Sequence, residues 1–367
     1  MTTKCEWMGL SMKNPLIAAA GPWSDGHESI QKAIDHGAAA VVTETITQEE
    51  SARLYPRIYA RGSAVLNTTL YSTSPLEAWE EELQAIDKKG SYVICNIRGT
   101  TPSEAAYIAR RMERWGADGL ELCPFTPIGA KIEGIGANPE DIYEMIHSVT
   151  TAVELPVTVR LPIHMANTPA FVKAVERAGA KSISTIESLK ALWGVDIEKR
   201  RSCVPTFGGY TGGAVYPITM ATVATLKQST DCDIAAMGGI RTAENVLECI
   251  MLGASAVQIG SGILMHGYEL FDQIISKLDA WVNEHGISSY EEICGAALTS
   301  LASYEELDSR PKRAVLCDAG AASEKDRIRA AKCCLVGAIR DDLSIDEKKC
   351  NGCGLCCSML PSVYKMK

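Results

Sequence analysis

Residues 233–263 read DIAAMGGIRTAENVLECIMLGASAVQIGSGI, and two kinds of periodicity alternate within them. DIAAMG and AVQIG are apolar runs of strand length, whereas AENVLECIMLG spaces its apolar residues along one helical face and ends in a glycine suited to a C-terminal cap. Strand, helix and strand in succession are the unit of a parallel sheet wrapped by helices. Each strand runs out into glycine, Gly238-Gly239 after the first and Gly260-Ser261 after the second, just ahead of a helix start. Bare backbone N–H groups at such a place, together with the helix dipole, attract phosphate.

The same alternation continues outward from this stretch. Eight strand-like runs are present: PLIAAA (15–20), AAVVTE (39–44), YVICN (92–96), DGLEL (118–122), PVTVR (156–160), KSISTI (181–186), DIAAMG (233–238) and AVQIG (256–260). Eight parallel strands close a (β/α)8 TIM barrel, so an α/β barrel is the expected fold. The intervening segments ESIQKAIDHG, SEAAYIARRMERWG, PEDIYEMIHSV and PAFVKAVERAG have helical spacing. A third glycine turn, FGGYTGGAVYPI (207–218), precedes another helix; three such turns in the last third of a barrel favour a phosphate-bearing ligand. The stretch from Thr45 to Ser74 is a long excursion expected to fold over one end of the barrel. The barrel is expected to occupy residues 1–285. Residues 286–367 are expected to form a polar, Ala- and Glu-rich helical linker and a small cysteine-bearing segment. No internal repeat or low-complexity tract is present.

Composition narrows the function. The chain has 367 residues, 46% of them hydrophobic and 22% charged, enough apolar material for a large core. No apolar run approaches bilayer length, and MTTKCEWMGLSMKNP lacks the basic start and apolar stretch of a signal peptide, so a cytoplasmic protein without membrane partners is expected. Fourteen cysteines scattered through so long a chain read as reduced thiols rather than a disulfide scaffold. A formal charge of -9 opposes sequence-independent binding to nucleic acid.

The series GLSMKNPLIAAAGP, YPRIYARGSAVLN, GADGLEL, FGGYTGGAVYPI and GGIRTAENVLECIMLGASAVQIGSGI resembles the FMN barrel of the dihydroorotate dehydrogenase superfamily over nearly all of residues 1–285. NTTLYSTSPLEAW (67–79) looks most like the flavin domain of dihydropyrimidine dehydrogenase. The resemblance implies that Ala20 and Gly21 line the flavin, with Thr43 beside them, and that Asn96 hydrogen-bonds its ring. Thr211, Gly212, Gly238, Gly239, Gly260 and Ser261 would hold its phosphate. Asn67 would touch substrate, or else cap a turn in the long loop.

Departures from the family pattern carry as much information. Where the family has threonine-lysine after the second strand, this chain has Thr43-Glu44, and where it has a lysine near flavin N1 this chain has Arg160. A guanidinium can still support a reduced flavin. Glu44 either recognises a cationic or N–H-rich substrate or pairs with Arg160 or Arg57. The proton donor falls in LELCPFTPIGAK: alignment by identity selects Cys123, and ungapped alignment selects Thr126. A thiol has the more readily tuned pKa, although a buried inert cysteine is the alternative. After the sixth strand the family's asparagine gives way to Ile186-Glu187, which removes an amide that a pyrimidine ring would use and places Glu187 toward substrate.

KKCNGCGLCCSMLP (348–361) sets Cys350, Cys353 and Cys356 at the C-x2-C-x2-C spacing of an iron-sulfur loop, with Leu360 at the fourth position. The preceding AAKCCLVGAIRDDLSIDEKKC resembles the middle of a two-cluster ferredoxin, in which the fourth cysteine of one motif ligates the other motif's cluster. Glu324, Arg327 and Ala330 stand where the other three cysteines would be. The resemblance therefore implies a single 4Fe-4S cluster on Cys334, Cys350, Cys353 and Cys356, with Cys333 and Cys357 as substitutes to exclude and a zinc site as the alternative.

A flavin and a cluster together imply an oxidoreductase acting on the CH–CH or C=C bond of a small activated substrate, a cyclic amide or related compound, with electrons exchanged through the cluster with a separate reductase subunit or ferredoxin. No NAD(P)H module is evident in the sequence. The readings left beside it are a non-catalytic electron-transfer subunit, a dihydroorotate or dihydropyrimidine dehydrogenase proper, and a tRNA dihydrouridine synthase, which the acidic charge disfavours. A homodimer is expected from the resemblance.

Overall fold

In the computed structural model, which describes residues 5–126, 128–129 and 138–367, all eight strand-like runs form strands. They are β1 (Leu16–Ala18), β2 (Ala40–Val42), β3 (Tyr92–Ile97), β4 (Gly119–Leu122), β5 (Val157–Arg160), β6 (Ser182–Thr185), β7 (Asp233–Met237) and β8 (Ala256–Ile259). Each pairs in parallel with its neighbour in sequence, and β8 closes on β1. Their residues are almost wholly buried on both faces, which is why they read as continuous apolar runs rather than alternating ones.

Helices return the chain between strands, and local chemistry fixes their ends. Thr101 and Thr242 accept from the backbone N–H of Glu104 and Asn245, and Asn138 accepts from those of Glu140 and Asp141. Proline occupies the first turn of the helices Pro102–Arg114, Pro139–Thr150 and Pro169–Arg177. The helix Ala243–Met251 turns Val246, Leu247, Cys249 and Ile250 onto the barrel, as its spacing requires.

The excursion after β2 forms a hairpin, Ile58–Arg61 against Ala64–Asn67. Its second strand pairs with Gly208–Gly212, which pairs in turn with Leu189–Ala191. Loops after β2 and β6 thereby build one four-stranded antiparallel sheet at the end of the barrel where the strands run out.

The chain divides into two compact units, Met1–Ser300 and Leu301–Lys367. The linker expected to be continuous helix is instead a series of 3-10 turns, Tyr290–Ile293, Ala296–Ser300 and Tyr304–Glu306. Gly295 adopts φ +75 between the first two, and the Ser309-Arg310-Pro311 run lacks the N–H that a helix would need. In the second unit Ala314–Leu316 pairs antiparallel with Tyr364–Met366, flanked by the helices Glu324–Cys333 and Leu355–Met359. Its own core includes Ala330, Leu343, Cys356, Leu360 and Val363. Among the described residues no helix is long and apolar enough to cross a membrane.

Candidate active site at the mouth of the barrel

Side chains two residues apart on a strand share a face, so Thr158 and Arg160 of β5 both point into the barrel. Their register neighbours complete a polar layer inside the barrel: Asn96 pairs with Glu121 and Glu121 with Thr158 across β3, β4 and β5. Asn96 Nδ2 donates to Glu121 Oε1 at 2.7 Å, and Gln258 Nε2 donates to Glu121 Oε2 at 2.7 Å and to Ser184 Oγ at 3.0 Å. Ser184 Oγ also lies 3.0 Å from Thr158 Oγ1. A fully buried carboxylate is thus held by two amides and by the cation one step up the barrel.

That cation is Arg160. Its Nε lies 3.8 Å from Glu121 Oε1 and 3.0 Å from Glu187 Oε2, although its N–H is aimed at neither. Burial alone would lower its pKa, but Glu187 and Glu121 outweigh burial and hold it firmly charged. Nη2 rests 3.2 Å from the Met237 sulfur. One guanidinium between two carboxylates leaves the group net negative.

Above Arg160 opens a cavity with about 970 Å³ of space between its walls, part of it open to solvent. It brings together Ala20, Gly21, Glu44, Asn67, Cys123, Thr126, Arg160, Glu187, Thr211, Gly238, Gly239, Gly260 and Ser261, which sequence reading had gathered from distant loops. Thr43, Asn96 and Gly212 do not line it. Gly212 lines an adjoining cleft with Gly239 and Ser261, while Thr43 and Asn96 are fully buried, Thr43 Oγ1 accepting from the Asn96 backbone N–H at 3.0 Å. Asn96 Oδ1 has no hydrogen-bond partner among the described residues.

Glycine is required where the loops converge. Gly212 has φ +106, and a Cβ there would lie 1.9 Å from the Ser63 carbonyl oxygen. Gly239 has φ +75, and its Cβ would lie 2.6 Å from the Gly212 carbonyl oxygen. The bare backbone left by this close approach, beside Ser261 and Thr211, is the cradle that a phosphate needs.

Cys123 is buried, its Sγ 3.0 Å from the Phe125 carbonyl oxygen and 3.9 Å from Glu187 Oε2. Burial, and after it Glu187, pushes the thiol up to about 12, against the opposing pull of Arg160 and Arg98. Thr126 lines the same cavity; Pro127, part of the alternative alignment, lies outside the described residues. Asn67 Oδ1 accepts the Thr69 backbone N–H at 2.8 Å, so its side chain caps a turn while also lining the cavity.

Glu44 is buried at 3% exposure, and neither carboxylate oxygen has a hydrogen-bond partner among the described residues. The alternative in which it pairs with Arg160 fails because Arg160 is engaged by Glu187 and Glu121, and it forms no ion pair with Arg57 among the described residues. Burial, and then Asp25, raises its carboxyl to about 7, with Arg53 and Arg57 pulling the other way.

Sequence reading missed Glu121, Gln258 and Trp23. The first two are legible only as polar residues within strands otherwise apolar. Trp23 lies against Gly21, where a Cβ would come within 2.4 Å of its ring, and its indole N–H donates to the Ala19 carbonyl oxygen.

In the second unit a small cavity is lined by Cys334, Cys350, Cys353 and Cys356, with Cys333 and apolar side chains including Ile339 and Ile345. Cys334 Sγ accepts the Ala338 backbone N–H at 3.2 Å. Cys357 is not in the lining, and Leu360 is buried in the unit's core. Among the described residues no group of three or more histidine, cysteine or acidic side chains is arranged around a single metal-ion position.

Comparison with known proteins bears on the barrel. The family model described as dihydroorotate dehydrogenase matches residues 2–282. The chain is 34% identical over 295 residues to the dihydroorotate dehydrogenase B (NAD(+)), catalytic subunit, of Pyrococcus abyssi, covering 79% of this chain and 97% of that one. With the protein of the same name from Pyrococcus furiosus it shares 33% identity over 304 residues, 81% of this chain and 99% of the relative.

Proposed function

The chain belongs to the dihydroorotate dehydrogenase family, FMN oxidoreductases acting on CH–CH groups, and from that premise we propose that it reduces or forms a C=C bond in a small cyclic amide or related substrate while exchanging electrons through its C-terminal unit. The observation that carries this reading is the cavity at the barrel mouth in which a protonated thiol, a buried ion pair and a run of bare glycine backbone face one space.

The residues fit FMN. Gly238, Gly239, Gly260, Ser261 and Thr211 of the cavity, with Gly212 of the adjoining cleft, would hold its phosphate, and Ala20 and Gly21 would flank it, whereas Asn96, buried beneath the lining, would meet the ring only if the wall above it shifts. Bound there, FMN supplies two-electron redox chemistry to the substrate's carbon-carbon bond. Arg160 fixes the charge balance at the cavity floor: two carboxylates already compensate it, so it acts more as a donor and an anchor than as a free positive charge. Cys123 keeps its proton at Sγ near neutral pH, the state needed to protonate the second carbon when a double bond is reduced. Dehydrogenation needs the thiolate instead, which Glu187 disfavours.

For the second unit we propose one 4Fe-4S cluster on Cys334, Cys350, Cys353 and Cys356, and a nearest branch in the dihydropyrimidine dehydrogenase flavin domain. Support comes from the cavity that those four thiols share and from their C-x2-C-x2-C spacing. A separate electron partner is supported by the relatives being named as catalytic subunits of an NAD(+)-linked enzyme.

Anaerobic purification with an absorption spectrum and counts of flavin and iron tests both cofactors. Photoreduction followed by reoxidation with unsaturated cyclic amides, imides and acids tests the chemistry. Reoxidation that depends on no member of such a panel would leave the chain an electron carrier.

A further inference from the structure

The substrate end of the cavity has a charge pattern of its own. Among the described residues, the charged ones that line it are Glu44, Glu187 and Arg160. Arg160 is engaged by Glu187 at 3.0 Å and by Glu121 at 3.8 Å, so the described residues of the lining offer a substrate carboxylate no uncompensated cation. Glu44 presents the complementary vacancy: both oxygens are buried, neither has a hydrogen-bond partner among the described residues, and the residue lines the cavity. A buried carboxylate without donors is costly, and the cost is relieved by a ligand that brings them.

We propose that Glu44 is the specificity-determining residue and that the cavity selects a substrate presenting a nitrogen donor edge, an amidinium-like cation or a pair of ring N–H groups, and rejects one presenting a carboxylate. The inference rests on the cavity being the reaction site. Two parallel N–H donors match the two oxygens of one carboxylate, the geometry that makes such pairs strong. A carboxylate brought to the same place would face Glu44 and Glu187 together, and like charges in a desolvated site repel. Other charges reach Glu44 from the chain around it: Asp25 raises its pKa, while Arg53 and Arg57 lower it. Arg53 is itself drawn to Asp25 at 4.0 Å and donates to Thr73 Oγ1 at 3.0 Å.

Benzamidinium and benzoate are a suitable probe pair, equal in shape and opposite in charge. Calorimetric titration of the flavin-loaded protein at about pH 8 is expected to show benzamidinium binding at least about tenfold more tightly than benzoate. Glu44→Gln should reduce that preference about tenfold or more while flavin content is unchanged. In the wild type the benzamidinium affinity should rise between about pH 6 and pH 8, as Glu44 ionises, and level off above. Tighter benzoate binding, a preference untouched by Glu44→Gln, or loss of flavin with the preference retained would each overturn the proposal, the last by assigning Glu44 to the cofactor. Should Glu44→Gln fail to fold, the wild-type preference and its pH dependence decide. A chain that purifies without flavin yet prefers benzamidinium would sink the proposed oxidoreductase and spare this inference.

Discussion

Arg160 and Glu187 meet at 3.0 Å, Nε to Oε2, with both side chains nearly excluded from water. Removing one member of a buried pair leaves the other uncompensated. Here the asymmetry is larger, because Glu121 leans on the same nitrogen at 3.8 Å. Arg160→Leu is therefore expected to destabilise the barrel by about 3–5 kcal/mol, with Arg160→Lys costing less. Urea unfolding of the flavin-free chain reads this directly. A leucine variant as stable as the wild type would show that the two carboxylates are protonated in the fold and need no cation.

Cys123 and Thr126 line one cavity and compete for one role. Cys123→Ala should lower turnover by about 100- to 10,000-fold with flavin binding intact, and Thr126→Val should do far less. The two directions of reaction should also differ in pH dependence. With the thiol pushed up to about 12 by burial and then by Glu187, the proton donor stays loaded across neutral pH, so reduction should not fall off through this group. Oxidation, which requires the thiolate, should gain about tenfold per pH unit over the same span. Steady-state rates in both directions, compared between about pH 6 and pH 9, would expose a different base if oxidation proved flat.

The carboxyl of Glu44 makes a stability prediction with a definite sign. Its pKa in the fold is raised from 4.5 to about 7, burial first and Asp25 second, so the folded chain binds this proton more tightly than the unfolded one. The stabilisation is fully present below pH 4.5 and is lost as pH rises through about 7. Glu44→Gln, which mimics the protonated form, should match the wild type near pH 4 and exceed it by on the order of 3 kcal/mol above about pH 8, in the absence of ligand. Thermal or urea denaturation at the two pH values measures the difference. Equal stabilities at the higher pH would mean that the carboxylate finds a partner in solution.

The eight strands were legible because a barrel strand is buried on both faces and must be an apolar run, whatever its neighbours. The glycine turns were legible because close approach of backbone leaves no alternative residue. What could not be read was pairing across long separations. Nothing local to Ala64–Asn67 announces that its partner is Gly208–Gly212, or that a hairpin from β2 shares a sheet with the loop after β6. The charge balance was hidden for the same reason: Glu121 stands in DGLEL as an ordinary strand residue, and only the register with Asn96 and Thr158 turns it toward Arg160. Arg160 was read as a cation available to a flavin, whereas the fold hands it two carboxylates first.

The cysteines of the second unit give the last prediction. Five of them line one cavity, one more than a cube requires, and hydrogen bonding separates the adjacent pair. Cys334 Sγ accepts the Ala338 N–H at 3.2 Å, the kind of backbone donor that a cluster-bound sulfur also takes. Cys333 Sγ instead donates to the Ala330 carbonyl oxygen at 3.2 Å at the end of its helix, and burial, then Cys334 and Cys353, favours its thiol form. Serine at Cys334, Cys350, Cys353 or Cys356 should therefore strip iron from the protein, whereas Cys333→Ala and Cys357→Ala should retain it. Iron and sulfide counts on the anaerobically purified variants test the assignment. Leu360, the position that a two-cluster ferredoxin would fill with the missing ligand, is buried against Val363 and Cys356 in the unit's core, so Leu360→Cys should restore no second cluster: its partners Glu324, Arg327 and Ala330 lie on a helix and carry no sulfur. A second cluster appearing in that variant, or iron lost from Cys333→Ala with Cys334 intact, would require a different set of ligands.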